Sequence, residues 1–361
     1  MEIKQYLGEY KKKVDKELEK YFDDKIKQAK EIHSLAEESV EIIRDITMAG
    51  GKRVRPAILY YSYLTAGGKD NMEIIKASMS VELLHVFLLI HDDIIDKDSI
   101  RHGVYTAHER YTKKAESIFA PKKIKNDAVH FGNSMAILVG DIANSMAQEM
   151  IFNANFPADA IIRSLDKLRY IAYRTLPGEM LDVEMEFRGW ATEEEILKMH
   201  EGKTAHYTFE GPIGLGWTLA DKSSSGDLEK LSKYGLLIGK AFQIRDDILG
   251  VFGDEKKLGK PVGSDIIEGK QTLLLLKARE NGTKAQKEII QKYVRKKDLT
   301  ERELEKVRKV IVETGSLDYS NKLAQKLVKE GVGFLEDINF KNKTAEDFFH
   351  KIADYIISRQ V

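Results

Sequence analysis

Cysteine is absent from all 361 residues. That excludes disulfides, thiolate metal sites and cysteine nucleophiles together, and it fits an intracellular, cytoplasmic setting. Proline is nearly as scarce, at six, so few positions are barred from helix. Net charge is also missing: 58 basic residues balance 58 acidic ones. No global field recruits nucleic acid or an anionic membrane, and any basic site must be local. Long apolar runs are lacking too. Val86 to Ile90 is five residues flanked by histidines, far short of the roughly 20 needed to span a bilayer. The opening MEIKQYLGEYKKKVDKELEK is too charged and acid-rich for a secretion signal or transit peptide.

What is present is helical periodicity. Ile3, Tyr6, Leu7, Tyr10, Val14 and Leu18 mark an amphipathic helix over residues 3–31, and Ile42, Ile43 and Ile46 mark a second before Gly50-Gly51. Strand-like alternation, internal repeats and low-complexity linkers are all missing. Thr192 with Glu195, Thr300 with Glu303, and Thr344 with Asp347 read as capping boxes or a near equivalent. The expectation is one all-α domain, a single large helical bundle over residues 1–361. Residues 110–126, RYTKKAESIFAPKKIKN, read as a basic surface connection or a lid over a phosphate site.

The chemistry concentrates in HVFLLIHDDIIDKDSIR, His85 to Arg101. On a helix Asp92, Asp93 and Asp96 lie three or four residues apart and can share a face, where their charges repel. A hard cation relieves this, Mg²⁺ held by one or two carboxylates and substrate phosphates being the common form. A second adjacent pair, Asp246-Asp247 in FQIRDD, closes an apolar helix that begins near Tyr234. Two such helices facing across a cavity can clamp metal ions around a diphosphate and stabilise a departing negative charge. Cations for phosphate are at hand. Lys52 and Arg55 of GGKRVRP stand at a helix start that favours anions, and Lys203, Lys260 and Lys270 lie near glycines. A di-metal carboxylate bundle is the rival all-helical reading, but it needs two Glu-x-x-His motifs and only Glu82 to His85 supplies one.

In order along the chain, GGKRVRP (50–56), HDDIID (91–96) with RHG (101–103), HFGNSMAILVGD (130–141), GKT (202–204), and FQIRDD (242–247) with GKPVGSD (259–265) resemble the trans-isoprenyl diphosphate synthases, or polyprenyl synthetases. The similarity is greatest to the archaeal-type geranylgeranyl diphosphate synthases. The resemblance implies an isoprenoid synthase bundle around a central cavity, and a head-to-tail prenyltransferase that condenses isopentenyl diphosphate with an allylic diphosphate. It implies three Mg²⁺ per site, held by Asp92, Asp93 and Asp96 on one side and by Asp246 and Asp247 on the other. Arg101, Lys203, Lys260 and Lys270 would contact the allylic diphosphate. Lys52, Arg55, His85 and His102 would serve isopentenyl diphosphate, and Thr204 and Gln243 would stabilise the allylic cation. The family also implies a homodimer without a membrane span, in transient membrane contact when product is released. Alternatives are a synthase of another chain length (farnesyl or longer), a non-catalytic modulating subunit, or a cyclising or head-to-head enzyme, which GGKRVRP argues against.

Four departures from the family pattern stand out. Arg101 is followed by His102 instead of a second arginine, Gly250 replaces a third aspartate with Asp254 two turns beyond the pair, Gly178-Glu179 with Asp182 replaces a glycine-glutamine pair, and 110–126 is long. Product length should be read from the helix before the aspartates. Leu88 lies roughly 6 Å and Leu84 roughly 12 Å from Asp92 along the axis, with Phe87 between them as the obstruction to a chain beyond twenty carbons. Replacement of Asp92 by alanine is expected to cut turnover by at least about 10²–10³-fold without altering helix content; substantial retained turnover would contradict the metal assignment.

Overall fold

The computed structural model describes residues 2–118, 125–221, 226–253 and 262–358. The first helix, α1 (Ile3–Ile32), buries Tyr6, Tyr10, Val14, Leu18 and Phe22 along one face, and α2 (Ser34–Met48) buries Ile42, Ile43 and Ile46, as the periodicity requires. Next come α3 (Val54–Thr65), with Pro56 in its first turn, and α4 (Met72–Asp96), whose N-terminus is capped by the Asn71 side chain. α4 is apolar on nearly every side because other helices surround it. It is the one described helix long and apolar enough to cross a membrane, and 72% of that stretch is buried inside the protein.

Beyond α4 the chain turns through an antiparallel pair of two-residue strands, Ile100–Arg101 and Val104–Tyr105. His102 and Gly103 between them both have positive φ. This turn, unforeseen in the sequence, folds Arg101 back over the aspartates. Then follow α5 (Ala107–Ile118), α6 (Lys125–Phe152), α7 (Ala158–Arg188) and α8 (Glu193–Met199). A π-helix (His200–Glu210) runs into α9 (Gly211–Leu219), and α10 (Gly226–Phe252) carries the second acidic pair. The C-terminal part comprises α11 (Ser264–Glu268), α12 (Leu273–Asn281), α13 (Lys284–Tyr293), α14 (Glu301–Glu313), α15 (Ser316–Gly333) and α16 (Lys343–Ser358). The fold is thus all-α. α4 packs on α3 and α6, α10 on the π-helix and α15, and α16 closes over α1 and α3. There Phe348 stacks on Tyr61 with ring centroids 4.0 Å apart.

Two readings of the chain require correction. Residues 110–118 are no loop: they complete α5, which buries Tyr111 and Ala115 one turn apart and ties Arg110 to Asp45 and Lys114 to Glu38 of α2. Their basic side chains mask an amphipathic stripe. Residues 119–124 lie outside the described residues. Thr344 is not a cap either; α16 starts at Lys343, and the Asn342 side chain accepts the Ala345 N–H. The boxes at Thr192 and Thr300 do form, and Thr283 with Gln286 makes another.

One buried cation ties this architecture to the GGKRVRP segment. Arg53 sits at the N-cap of α3 in the left-handed region (φ 53°) with its side chain 1% exposed. It donates to Glu82 of α4 at 2.6 Å, to Asp15 of α1 at 2.7 Å and to the Thr47 carbonyl of α2 at 2.8 Å. Glu82 is therefore occupied by Arg53, which removes it from any di-metal role. Removing one partner of a buried pair strands the other charge, so Arg53→Ala is expected to cost about 3–5 kcal/mol in denaturant unfolding. A loss under about 1 kcal/mol, the range of a surface pair, would contradict this role.

Candidate active site

Helix geometry divides the first acidic motif. Asp92 and Asp96, one turn apart, line a cavity of about 300 Å³, while Asp93 is 1% exposed and accepts from Arg101 Nε on the neighbouring face. The expectation that all three carboxylates share one face therefore fails: adjacent residues on a helix point about 100° apart. Arg101 also reaches Asp98 at 3.2 Å and Asp92 at 3.5 Å. Burial, opposed by Arg101, raises the Asp93 carboxyl to about 7. Burial also acts on Asp92, but Lys203, Lys270 and Arg101 outweigh it and hold that carboxyl at about 2.

Lys203 enters from the π-helix. π-helices are rare and tend to mark functional sites; this one aims Lys203 at Asp182 (2.7 Å), Glu179 (2.9 Å) and Asp92 (3.4 Å). Such proximity requires α7 and the π-helix to touch. They do so at Gly178 and Gly202, where a Cβ on Gly178 would lie 2.2 Å from the Lys203 nitrogen. Glu179, half-buried beside Asp92, is pushed up to about 7 by desolvation despite Lys203. Lys270 bonds Asp96 at 2.9 Å and Glu268 at 3.1 Å, and its ammonium is held well above its ordinary value by those acids against burial and Lys203.

Across the cavity, α10 supplies Asp246 and Asp247 to the same wall. Asp247 accepts from Gln243 Nε2 at 2.8 Å and contacts the buried His200 ring at 3.1 Å, while Thr204 donates to Gln243 Oε1 at 2.5 Å. The two acidic helices therefore face one cavity. Gly250, where the family pattern has a third aspartate, packs against the Asp265 carboxylate: a Cβ there would lie 2.3 Å from Asp265 Oδ2. Asp265 also lines the cavity, so a carboxylate reaches this place from the GKPVGSD segment. Asp254 and Lys260 lie outside the described residues.

Three of the isopentenyl-site candidates, Arg55, His85 and His102, lie together near Arg101. Arg55 donates to Tyr207 Oη at 2.6 Å and lies 4.3 Å over its ring. The His85 ring is 5.7 Å from that of Tyr207. Burial, then the charges of Arg55, Arg101 and Arg53, keeps His85 neutral, well below the usual histidine range. The His102 ring packs on Gly50, and Lys52 donates to Tyr355 of α16 at 2.6 Å.

A second, apolar cavity of about 820 Å³ opens from the same point. Asp92 and Lys203 line both; Leu88, Leu89, His91, Ile95, Leu176, Met180 and Tyr207 make up most of the rest. Of the three residues expected to measure chain length, only Leu88 lines this cavity. Leu84 is buried in the core, and Phe87 sits edge-on behind His91, with ring centroids 4.9 Å apart.

The donor set suits a hard cation. Asp92 Oδ1 and Asp182 Oδ1 are buried without a hydrogen bond, and the facing ligands are carboxylate oxygens. Among the described residues no three acidic or histidine side chains converge tightly enough to hold an ion by themselves. A cation here would take one or two carboxylates and complete its shell from phosphate and water.

Several residues escaped assignment from the sequence. Glu179 and Asp182 stood out only as departures, although their i, i+3 spacing was a usable sign. Tyr207, one turn past Lys203, and Asp265, inside a quoted motif, were equally visible. Tyr355 carried no local signal.

Known proteins share this sequence pattern and fold. Residues 36–311 fit the family model for polyprenyl synthetase. The chain is 36% identical to a geranylgeranyl diphosphate synthase of Saccharolobus solfataricus, covering 86% of this chain and 87% of the relative. It is 32% identical to a geranylfarnesyl diphosphate synthase of Natronomonas pharaonis, covering 86% and 87%. It superposes with a TM-score of 0.89, over 100% of both chains and at 28% identity, on the crystal structure of geranylgeranyl pyrophosphate synthase from Corynebacterium glutamicum complexed with isoprenyl diphosphate and magnesium.

The contact at Gly250 gives a direct test. Gly250→Ala is expected to destabilise the fold by about 1–3 kcal/mol through overpacking, and adding Asp265→Ala should recover most of that loss in thermal unfolding. Equal stability of the single and double variants would contradict the packing described.

Proposed function

This chain belongs to the polyprenyl synthetase family, and from that premise we propose that it is a Mg²⁺-dependent trans-prenyltransferase that condenses isopentenyl diphosphate head-to-tail with an allylic diphosphate to give geranylgeranyl diphosphate. The observation that carries this reading is the junction of the two cavities at Asp92 and Lys203: a charged cavity fit for a diphosphate meets an apolar one fit for a hydrocarbon chain.

Lys203, Lys270 and Arg101 bind the allylic diphosphate and favour its departure by stabilising charge on the leaving oxygen. Mg²⁺, three ions in our reading, would be held by Asp92 and Asp96 on one side and Asp246 with Asp247 on the other, and supplies further neutralisation of that leaving group. The Thr204 and Gln243 oxygens, 2.5 Å apart, face the allylic carbons as they become cationic, in a site from which water is displaced by the chain. Lys52, Arg55, His85 and His102 hold isopentenyl diphosphate by its retained diphosphate, so that its double bond attacks the cation. A proton then passes to an oxygen of the departing diphosphate, which accounts for a site without a dedicated base.

Identity to the Saccharolobus solfataricus geranylgeranyl diphosphate synthase supports a twenty-carbon product. A twenty-five-carbon product is the second reading, favoured by the Natronomonas pharaonis relative and by the volume of the apolar cavity, about 820 Å³. A second copy of the chain would cover the exposed apolar residues on α6 and α7, among them Leu138 (57% exposed), Tyr173 (66%) and Met180 (71%).

Incubation with Mg²⁺, isopentenyl diphosphate and each of dimethylallyl, geranyl and farnesyl diphosphate is expected to give the twenty-carbon diphosphate; no elongation with any primer would overturn the reading. Phe87→Ala, by removing the ring behind His91, should let that wall recede and lengthen the products, and an unchanged product distribution would contradict this part.

A further inference from the structure

A third cavity, of about 430 Å³, lies outside the site described above, bounded by the C-terminus of α7, the turn before α12, and α13. Its polar wall is Arg279, Lys287, Arg295, Gln271 and Gln291; Ile290 and Val294 form a small apolar floor. Among the described residues no acidic side chain lines it. Among the described residues Arg279, Lys287 and Arg295 enter no ion pair, and the one side-chain hydrogen bond of Arg279 goes to a neutral acceptor, Gln271 Oε1, at 2.6 Å. Two arginines close enough to repel share a half-buried pocket: burial first, then Arg295, lowers the Arg279 guanidinium from its ordinary value. Glu186 lies in the adjoining cleft on the far side of Arg295 and makes no ion pair with it. In a chain whose charged side chains are otherwise paired widely, three cations without an ion-pair partner around a concave space with two amide donors match a multiply charged oxyanion.

The wall is shared with the catalytic clamp. Gly269-Lys270-Gln271-Thr272 is one turn; Lys270 points to Asp96 in the clamp, while Gln271 lines both cavities. Arg279 holds the Gln271 carbonyl, and Gln271 Nε2 donates to the Gly269 carbonyl at 2.6 Å. Arg295 crosses the same turn: its backbone N–H bonds the Ile266 carbonyl at 2.9 Å, and its side chain fills the space a Cβ on Gly269 would take, 2.4 Å from Arg295 Cγ. Both guanidinium groups thus lean on the turn that aims Lys270.

We propose that Arg279, Lys287 and Arg295 form a second anion site that takes a diphosphate group and regulates the enzyme through the turn that carries Lys270. The group has two sources in the proposed reaction: inorganic diphosphate, the by-product, and the head of the prenyl diphosphate product. The regulatory part rests on that reading of the function; the binding part does not.

The test uses the full chain and the variant Lys287→Gln, an exposed position that touches neither the catalytic machinery nor the turn that carries Lys270. In EDTA, calorimetric titration with inorganic diphosphate and, separately, with geranylgeranyl diphosphate is expected to show, beside binding to the catalytic cations, a binding event in the parent that weakens at least about tenfold in the variant, equivalent to one charge-assisted contact. Inorganic phosphate should bind more weakly than either. Loss with inorganic diphosphate alone identifies the by-product as the ligand; loss with both admits the product as well. Identical isotherms for parent and variant with both ligands would overturn the site. In turnover assays the variant should keep the parent's rate without added diphosphate and lose the part of diphosphate inhibition that excess allylic substrate does not relieve. Identical inhibition would overturn the regulation. A parent that elongates no primer but shows the variant-sensitive binding would refute the proposed function and leave the site standing.

Discussion

Buried charge is the constraint on which this structure turns. Among the described residues the clamp cavity is lined by eight acidic side chains and three basic ones, Arg101, Lys203 and Lys270. At an effective dielectric near 20, like charges about 4 Å apart repel by roughly 4 kcal/mol, so the excess acidity must be relieved. The protein does so in two ways: the lysines are drawn in among the carboxylates, and Asp93, Asp96, Glu179 and Glu268 are pushed toward their protonated forms. In the proposed reaction the lysines would bind phosphate and the carboxylates metal, so the groups that balance one another's charge would also carry the chemistry.

The unusual backbone follows from that need. Residues 200–210 form the π-helix that carries Lys203, Thr204 and Tyr207, and the Gly178 and Gly202 contact brings α7 close enough for Glu179 and Asp182 to meet Lys203. The strand pair after α4 is a second device of this kind, since without the reversal at His102 and Gly103 Arg101 would continue away from the aspartates it neutralises. Arg53 does the corresponding work for GGKRVRP, fastening to three helices a loop whose neighbouring cations remain available to an anion.

Much of this was legible in the chain itself. Helices announced themselves through three- and four-residue periodicity, and the paired aspartates and the lysines through local motifs. What stayed hidden were relations that span the fold. Asp93 was misjudged because adjacent helical residues diverge, a point the motif HDDIID conceals. Phe87 stands in register with Asp92 yet faces His91 and not the cavity, since rise along an axis says nothing of direction around it. The helix over 107–118 was obscured by its own basic surface, and the role of Asp265 at Gly250 needed two segments placed side by side.

If the carboxylates are too dispersed to hold an ion alone, metal and diphosphate must bind together. Calorimetric titration of Mg²⁺ into the protein, with and without a non-reacting thio-analogue of farnesyl diphosphate, addresses this directly. The account predicts weak Mg²⁺ binding to the protein alone and much tighter binding with the analogue present. Equally tight Mg²⁺ binding in the absence of any diphosphate would contradict it.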